Sequence, residues 1–313
     1  MTTTTDVSRA RAWLIAARPH TLPAAAAPVV VGTGLAYHDG VLAPLPALAA
    51  LLGAALIQVG TNFANDYYDA KKGADEDAAG FTRVTQSGLI PEKRVKRAMI
   101  GAFGAAILLG TTLVYVGGVP ILVVGLASVA AGILYTGGPY PFGYYGLGDL
   151  FVFVFFGLVA VTGTYYVQAT ATMAEVGPVP TWVPEGTITV EAVVASLPMA
   201  ALITAILVVN NVRDRESDRR AGKRTLAVIV GYTWSRVEFL ALLALAYLVP
   251  VRFALRPDFG LAVLAPLLTV PLGALVAHTV LTERSEAALN PALERAGQLV
   301  AAYAVLFGVG LAA

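Results

Sequence analysis

The sequence predicts an all-α, multi-pass transmembrane bundle of about nine helices, and three observations lead to this prediction. Only 13% of the 313 residues are charged, whereas a soluble domain carries about 25%. Apolar residues make up 57% of the chain, and the mean hydropathy is +0.73. The apolar residues are grouped in runs of the ~17–25 residues that a helix needs to cross a bilayer. The lipid bilayer is therefore the expected environment.

Polar, proline and glycine residues separate nine such runs. We expect a single domain over residues 1–313, with a possible internal repeat in which spans one to four resemble spans five to eight. The predicted spans lie near 22–38, 44–64, 97–117, 119–136, 147–170, 190–211, 234–254, 259–281 and 293–313.

The distribution of Lys and Arg predicts the orientation of the chain. Nineteen of the 21 basic residues precede span one or fall between spans two and three, six and seven, or eight and nine. Because basic residues stay on the cytoplasmic side of short loops, the amino terminus is expected to be cytoplasmic and the carboxyl terminus outside the cell membrane. The net charge of +1 says little about partners, and no nucleic-acid partner is expected.

Acidic residues gather at the ends of two predicted spans. At the end of span two, Asn62, Asp66 and Asp69 follow the i, i+4, i+7 spacing of one helix face, and Asp75 follows beyond Gly73. We call Asn62 to Asp75 the first motif. At the end of span six, Asn211, Asp214 and Asp218 repeat the pattern, and we call Asn211 to Asp218 the second motif.

Carboxylates clustered at the mouth of an apolar bundle repel one another and are costly to desolvate, so a cation is expected beside them. Oxygen ligands favour magnesium, which is commonly shared with substrate phosphates, and the absence of cysteine excludes sulfur-based sites. Neighbouring basic residues could bind the remaining phosphate oxygens. These features favour a diphosphate site over two simpler readings, solvated loops and an ion-coupled transporter. The basic residues are Lys71, Lys72, Arg83, Lys223 and Arg224.

The two motifs, Asn65-Asp-Tyr-Tyr-Asp-Ala-Lys-Lys-Gly-Ala-Asp75 and Asn211-Val-Arg-Asp-Arg-Glu-Ser-Asp218, resemble those of the UbiA superfamily of intramembrane aromatic prenyltransferases. Gly73 stands where most relatives have the last Asp of the first motif, and Asp75 follows two positions later. This variant is similar to the menaquinone branch, whose members act on 1,4-dihydroxy-2-naphthoate. Five short stretches also match that branch in the correct order: 18–23, 82–88, 134–140, 146–149 and 221–226.

The resemblance implies a bundle around a central cavity, covered on the cytoplasmic side by the motif loops, with Mg²⁺ as cofactor and the lipid bilayer, a polyprenyl diphosphate and an aromatic acceptor as partners. It also implies roles for individual residues. The magnesium ligands would be Asp66, Asp69, Asp75, Asp214 and Asp218, and the base would be Asp75 or Asp218. The diphosphate would contact Asn65, Lys72, Arg83, Asn211 and Lys223, and the acceptor or prenyl pocket would include Arg18, Asn62, Tyr140 and Tyr145.

The reaction implied is transfer of a polyprenyl group to 1,4-dihydroxy-2-naphthoate with loss of CO₂ and diphosphate, which gives demethylmenaquinone. Other acceptors remain open, namely 4-hydroxybenzoate, homogentisate, a heme vinyl group or geranylgeranylglyceryl phosphate. Many relatives have a Lys after a Tyr between spans four and five, but this chain has none there. Asp149 is expected to cap the start of span five. Aromatic side chains of that span are expected to line the cavity in part: Phe151, Phe153, Phe155, Phe156, Tyr165 and Tyr166.

Overall fold

The structure, a computed structural model, describes residues 7–72 and 84–313. Across these residues the secondary structure is helical, and eight helical segments are long and apolar enough to cross a membrane. Short 3₁₀ or π segments join some of the α-helices. The α-helices are α1 (Arg9–Ala17), α2 (Leu22–His38), α3 (Pro44–Lys72), α4 (Glu92–Leu134), α5 (Gly148–Val152), α6 (Ala160–Thr172), α7 (Val190–Arg213), α8 (Arg215–Arg220), α9 (Leu226–Ala254), α10 (Val270–Thr282) and α11 (Glu286–Ala312).

Helix α4 accounts for the ninth span. Its 43 residues would extend ~65 Å, about twice the thickness of a bilayer core. Gly118 interrupts it with a φ of 65° and a ψ of −154°, which glycine adopts without strain. On either side of this turn, Phe103 and Gly132 approach one another, so the two halves run antiparallel. The prediction of about nine spans is confirmed.

The loop between α6 and α7 packs against the Gly118 turn through backbone hydrogen bonds. Val119 N–H donates to the Pro180 carbonyl at 2.9 Å, and Val179 N–H donates to the Tyr115 carbonyl at 2.9 Å. A Cβ atom on Gly118 would lie 1.8 Å from the Pro180 oxygen. Only glycine therefore fits this reversal, for reasons of both φ and space.

Helix α7 forms the centre of the bundle. Its most apolar window is 72% buried, more than in any other described span, because α9, α11, α6 and the π segment Phe153–Val159 pack around it. A helix that is apolar on all sides suits such a position. The second motif therefore lies at the end of the most enclosed helix.

Some boundaries differ from the sequence-based expectations. Span seven begins at Leu226 rather than near 234, with a break at Gly231, and span nine begins at Glu286 rather than near 293. Helix α1 was not predicted. It packs on α3 through Trp13 and Phe63, whose ring centroids are 5.9 Å apart. The proposed internal repeat stays a prediction.

Candidate active site

The first motif ends α3 with its acidic side chains buried. Asn62, Asp66 and Asp69 are 3%, 3% and 2% exposed, as expected for three side chains on one inward face. The Asp66 carboxylate accepts hydrogen bonds from the backbone N–H and the hydroxyl of Thr85. The Asp69 carboxylate accepts the hydroxyl proton of Tyr144 at 2.8 Å and lies 3.8 Å from Lys223 Nζ.

Tyr144 joins the two motifs, and the sequence analysis missed it. Its ring lies 4.3 Å from Lys72 Nζ and 5.1 Å from Lys223 Nζ, so one aromatic ring neighbours a cation of the first motif and a cation that follows the second motif. Its carbonyl accepts the backbone N–H of Arg224 at 3.0 Å. The signal available was a tyrosine in the loop where many relatives place a Tyr-Lys pair.

The segment after α4 positions two more residues of the first motif. Thr136 donates its hydroxyl proton to Asn65 Oδ1 at 3.0 Å, and its carbonyl accepts from Lys72 Nζ at 2.6 Å. Gly137 lets this segment pack closely against α3, because a Cβ atom at this position would clash with the Tyr68 ring at 2.6 Å. Lys72 is thus held near Lys223, close enough for the two positive charges to interact.

The second motif is interrupted at Asp214, where α7 ends and α8 begins. Arg213 binds both Asp214 oxygens, with contacts of 2.6 and 2.7 Å, and also binds Asn210 and Asn290. Asp218 accepts a hydrogen bond from Thr225 at 3.4 Å, and its carbonyl accepts the Lys223 N–H at 2.8 Å. The three side chains therefore do not share one helix face as the spacing predicted. Asp214 contacts Arg213, whereas Asp218 contacts the loop that carries Lys223.

Asn211 faces a different partner. Its amide lies 3.5 Å from the Asp149 carboxylate, which is 5% exposed. The expectation that Asp149 caps the fifth span is wrong, because the cap position is Leu147 and no side chain caps it. Burial raises the pKa of the nearby Tyr135 phenol, and the negative charges of Asp149, Asp69 and Asp218 raise it further. The convergence of the two helix ends is seen directly in the ion pair between Asp69 and Lys223, whose charged groups lie 3.8 Å apart.

The five stretches that carried the family resemblance meet at this site. Thr21 bonds Asn62, and Thr85 bonds Asp66. Thr136 bonds Asn65, Asp149 bonds Asn211, and the last stretch supplies Lys223. Their role is to hold the side chains of the two motifs in place.

A cavity of about 410 Å³ extends from the first motif toward the end of the bundle that carries the Gly118 turn. Gln58, Asn62, Asn65 and Tyr135 line it near the motifs, and mostly apolar residues of α2, α3, α4 and the α5–α6 span line the rest. Of the six aromatic residues expected in span five, Phe151, Phe155 and Phe156 line the cavity. Tyr165 and Tyr166 instead bond to Asp39 and to the Gly117 carbonyl.

Three residues predicted for the pocket lie elsewhere. Tyr140 and Tyr145 are 74% and 52% exposed, with ring centroids 6.2 Å apart, and neither lines the cavity. Arg18 caps α1 with a φ of 49° and positions Thr21 through its carbonyl. Asp75 and Arg83 lie outside the described residues. Within 7–72 and 84–313, no three acidic or histidine side chains form a metal-binding group by themselves.

Comparison with known proteins identifies the family. The chain matches the UbiA prenyltransferase family over residues 25–306. The chain belongs to this family. It is 37% identical to the 1,4-dihydroxy-2-naphthoate octaprenyltransferase of Escherichia coli, a match that covers 98% of this chain and 96% of that protein. This UbiA-family chain is therefore a multi-pass membrane prenyltransferase, and the hypothesis that it is an ion-coupled transporter is rejected.

Solved structures share the fold. A UbiA homologue from Aeropyrum pernix matches with a TM-score of 0.69 at 12% identity, over 90% of this chain and 96% of that one. A homologue from Archaeoglobus fulgidus, bound to GPP and Mg²⁺, matches with a TM-score of 0.62 at 17% identity, over 95% and 99% of the chains. The predicted helical architecture is thereby confirmed.

Proposed function

We propose that this protein transfers a polyprenyl group from polyprenyl diphosphate to 1,4-dihydroxy-2-naphthoate, with release of CO₂ and diphosphate, which yields the reduced, quinol form of demethylmenaquinone. The observation that supports it most directly is the meeting of Asp69, Lys72 and Lys223 around Tyr144. Asp69 lies one helical turn beyond Asn65, which lines the apolar cavity. The relatives that match nearly end to end are named for this acceptor.

The diphosphate would bind between the two lysines. Lys72 belongs to the first motif and Lys223 follows the second, yet both ammonium groups lie near the same ring. Two cations held this close repel each other, and an anion between them removes that cost. Asn65 and Asn211 offer amide groups on the two sides, and Arg83 would add a further cation.

The donor set fits magnesium, because the described carboxylates and amides offer oxygen ligands only. Asp66 and Asp69 would hold the ion of the first motif with Asp75, and Asp218 with Asn211 would hold the ion of the second. Asp214 would contribute to the second ion as well, because each of its oxygens keeps a lone pair beyond the one bound by Arg213. Bound Mg²⁺ would neutralise charge on the diphosphate and so favour its departure.

The cavity supplies the environment for the prenyl chain. Its mostly apolar lining excludes water, which would otherwise capture an allylic cation. The faces of Phe151, Phe155 and Phe156 lie where they can stabilise positive charge on the departing prenyl group. The carbon–oxygen bond to diphosphate breaks, a bond forms from the acceptor ring to the prenyl carbon, and the ring then loses its carboxylate as CO₂.

A base near the cytoplasmic end would accept the acceptor's hydroxyl proton. Asp75 and Asp218 remain the two candidates. The distribution of basic residues supports a cytoplasmic amino terminus, which would place both motifs and the diphosphate on the cytoplasmic side of the cell membrane.

The test is a transfer assay with purified protein in detergent or proteoliposomes, one polyprenyl diphosphate, Mg²⁺ and labelled acceptors offered singly. We expect prenylated product, diphosphate and CO₂ in equal amounts with 1,4-dihydroxy-2-naphthoate. The controls are 4-hydroxybenzoate, homogentisate and geranylgeranylglyceryl phosphate. Faster transfer to any of these would replace the proposed acceptor, and transfer without CO₂ release would reject the proposed chemistry.

A further inference from the structure

Gln58 lies in α3 one helical turn before Asn62 and lines the cavity. It is 8% exposed, and its Oε1 atom is buried without a hydrogen-bond partner among the described residues. An unpaired buried acceptor costs about 1–3 kcal/mol. Such a group at a ligand cavity is therefore a candidate ligand contact.

The neighbouring hydrogen bonds determine which end of the Gln58 amide is unpaired. Thr21 donates its single hydroxyl proton to the Arg18 carbonyl at 2.9 Å, so its oxygen can only accept from other groups. It accepts from Gln58 Nε2 and from Asn62 Nδ2, each at 2.9 Å. Thr21 does not line the cavity. The Gln58 nitrogen is thus engaged by Thr21, and the carbonyl oxygen is the amide atom left for a ligand.

The reactants differ in whether they can satisfy a carbonyl oxygen. A prenyl chain carries no hydrogen-bond donor, and an ionised diphosphate carries only acceptors, which a carbonyl oxygen would repel. A hydroxylated aromatic acceptor does carry O–H donors. We infer that Gln58 is an acceptor-binding residue whose Oε1 receives a hydroxyl proton of the aromatic substrate. This inference rests on the proposed function, since it requires a phenolic acceptor.

The position of Gln58 also suits two hydroxyl groups at once. Asn62 uses both of its amide protons, on the Ala17 carbonyl and on Thr21, so its oxygen is the acceptor left on that side chain. Side chains four residues apart on a helix have Cβ atoms about 5–6 Å apart, comparable to two oxygens placed para on one aromatic ring. A 1,4-dihydroxy ring would then span Gln58 and Asn62, below the diphosphate at Asp66 and Asp69.

The experiment measures binding rather than turnover. Dissociation constants are measured by calorimetry for 1,4-dihydroxy-2-naphthoate and for its two analogues that lack one hydroxyl, 1-hydroxy-2-naphthoate and 4-hydroxy-2-naphthoate. The proteins are the wild type and Gln58→Met, which keeps the length of the side chain but removes its polar atoms. Thr21→Val removes the hydroxyl that accepts hydrogen bonds from Gln58 and Asn62, and so tests whether this support orients the two amides. Gln168→Met is the matched control, because Gln168 is also buried but hydrogen-bonded at both ends of its amide.

We expect the wild type to bind each of the two analogues about 3- to 10-fold more weakly than the dihydroxy compound, the range for one hydrogen bond. Gln58→Met should weaken the dihydroxy compound by the same factor and abolish its preference over one of the two analogues, with the KM for the prenyl donor unchanged. Thr21→Val, which removes the hydroxyl that orients Gln58 and Asn62, should reduce the preference, and Gln168→Met should retain it.

Two results would overturn the inference. One is a Gln58→Met protein that retains the wild-type preference, and the other is a variant that changes the donor KM instead of acceptor affinity. Either result, with normal prenyl transfer in the wild type, would leave the proposed function standing. A wild type that binds none of the three naphthoates would reject both proposals.

Discussion

Tyr144→Phe is the substitution that most directly tests how the two motifs cooperate. It removes only the hydroxyl that donates to Asp69 at 2.8 Å and keeps the ring beside Lys72 and Lys223. A hydrogen bond to a charged group contributes about 1.5–3 kcal/mol. Because Asp69 is buried, water cannot replace the lost proton donor, so the upper part of this range applies.

We expect kcat/KM for the prenyl diphosphate to fall about 40- to 160-fold, since each 1.36 kcal/mol corresponds to a factor of ten. Tyr144→Leu should lose about another tenfold, because it also removes two cation–π contacts worth ~0.5–2 kcal/mol each. The assay is diphosphate release at varied donor and Mg²⁺ concentrations. Tyr145→Phe, at the adjacent and half-exposed ring, is the matched control and should behave as the wild type.

Equal activity of Tyr144→Phe and wild type would refute this reasoning, because Asp69 would then need no orientation by the phenol. The same conclusion would follow if Tyr145→Phe lost as much activity as Tyr144→Phe. Membrane insertion and the elution volume in size-exclusion chromatography should be unchanged in each variant.

Three further predictions concern the metal, the carboxylates and the fold. Excess chelator should abolish transfer and added Mg²⁺ should restore it, so full turnover in chelator would remove magnesium from the scheme. Asp66→Asn should lower kcat/KM at least about 100-fold in correctly inserted protein, and wild-type rates would reject the first motif as a metal site. Gly118→Ala should lower the melting temperature in detergent by several degrees, since a positive φ costs about 1–2 kcal/mol and the new Cβ atom clashes with the Pro180 oxygen. Gly104→Ala, where a Cβ atom on the same helix meets open space, should leave the melting temperature unchanged.

Much of the fold could be predicted because hydrophobic length is a local property. Each span is visible in the sequence as an apolar run. An apolar helix of that length is stable in the bilayer whichever other helices pack against it. The turn at Gly118 was also marked locally, by a glycine pair followed by Pro120. The start of α9 was placed too late, because polar residues up to Arg236 continue the helix at the end of the bundle that carries the motifs, where Arg236 bonds the Val280 carbonyl.

The site was predicted only in part. The spacing of Asn62, Asp66 and Asp69 on one helix face was enough to place them together. The spacing of Asn211, Asp214 and Asp218 was not, because the helix breaks at Asp214 and Arg213 binds its carboxylate. Tyr140 and Tyr145 were favoured over Tyr144 because nothing in a loop sequence shows which of several tyrosines points inward.

The sequence by itself determined the membrane environment, the number of spans and the two acidic helix ends, since composition and helical period are read residue by residue. Only the tertiary structure decided that Tyr144 lies beside both Lys72 and Lys223 and that Asp149 meets Asn211. It also decided that the buried Oε1 of Gln58, a cavity-lining residue, has no hydrogen-bond partner among the described residues. Each of these is a contact between residues far apart in the chain, and its geometry depends on how the helices pack.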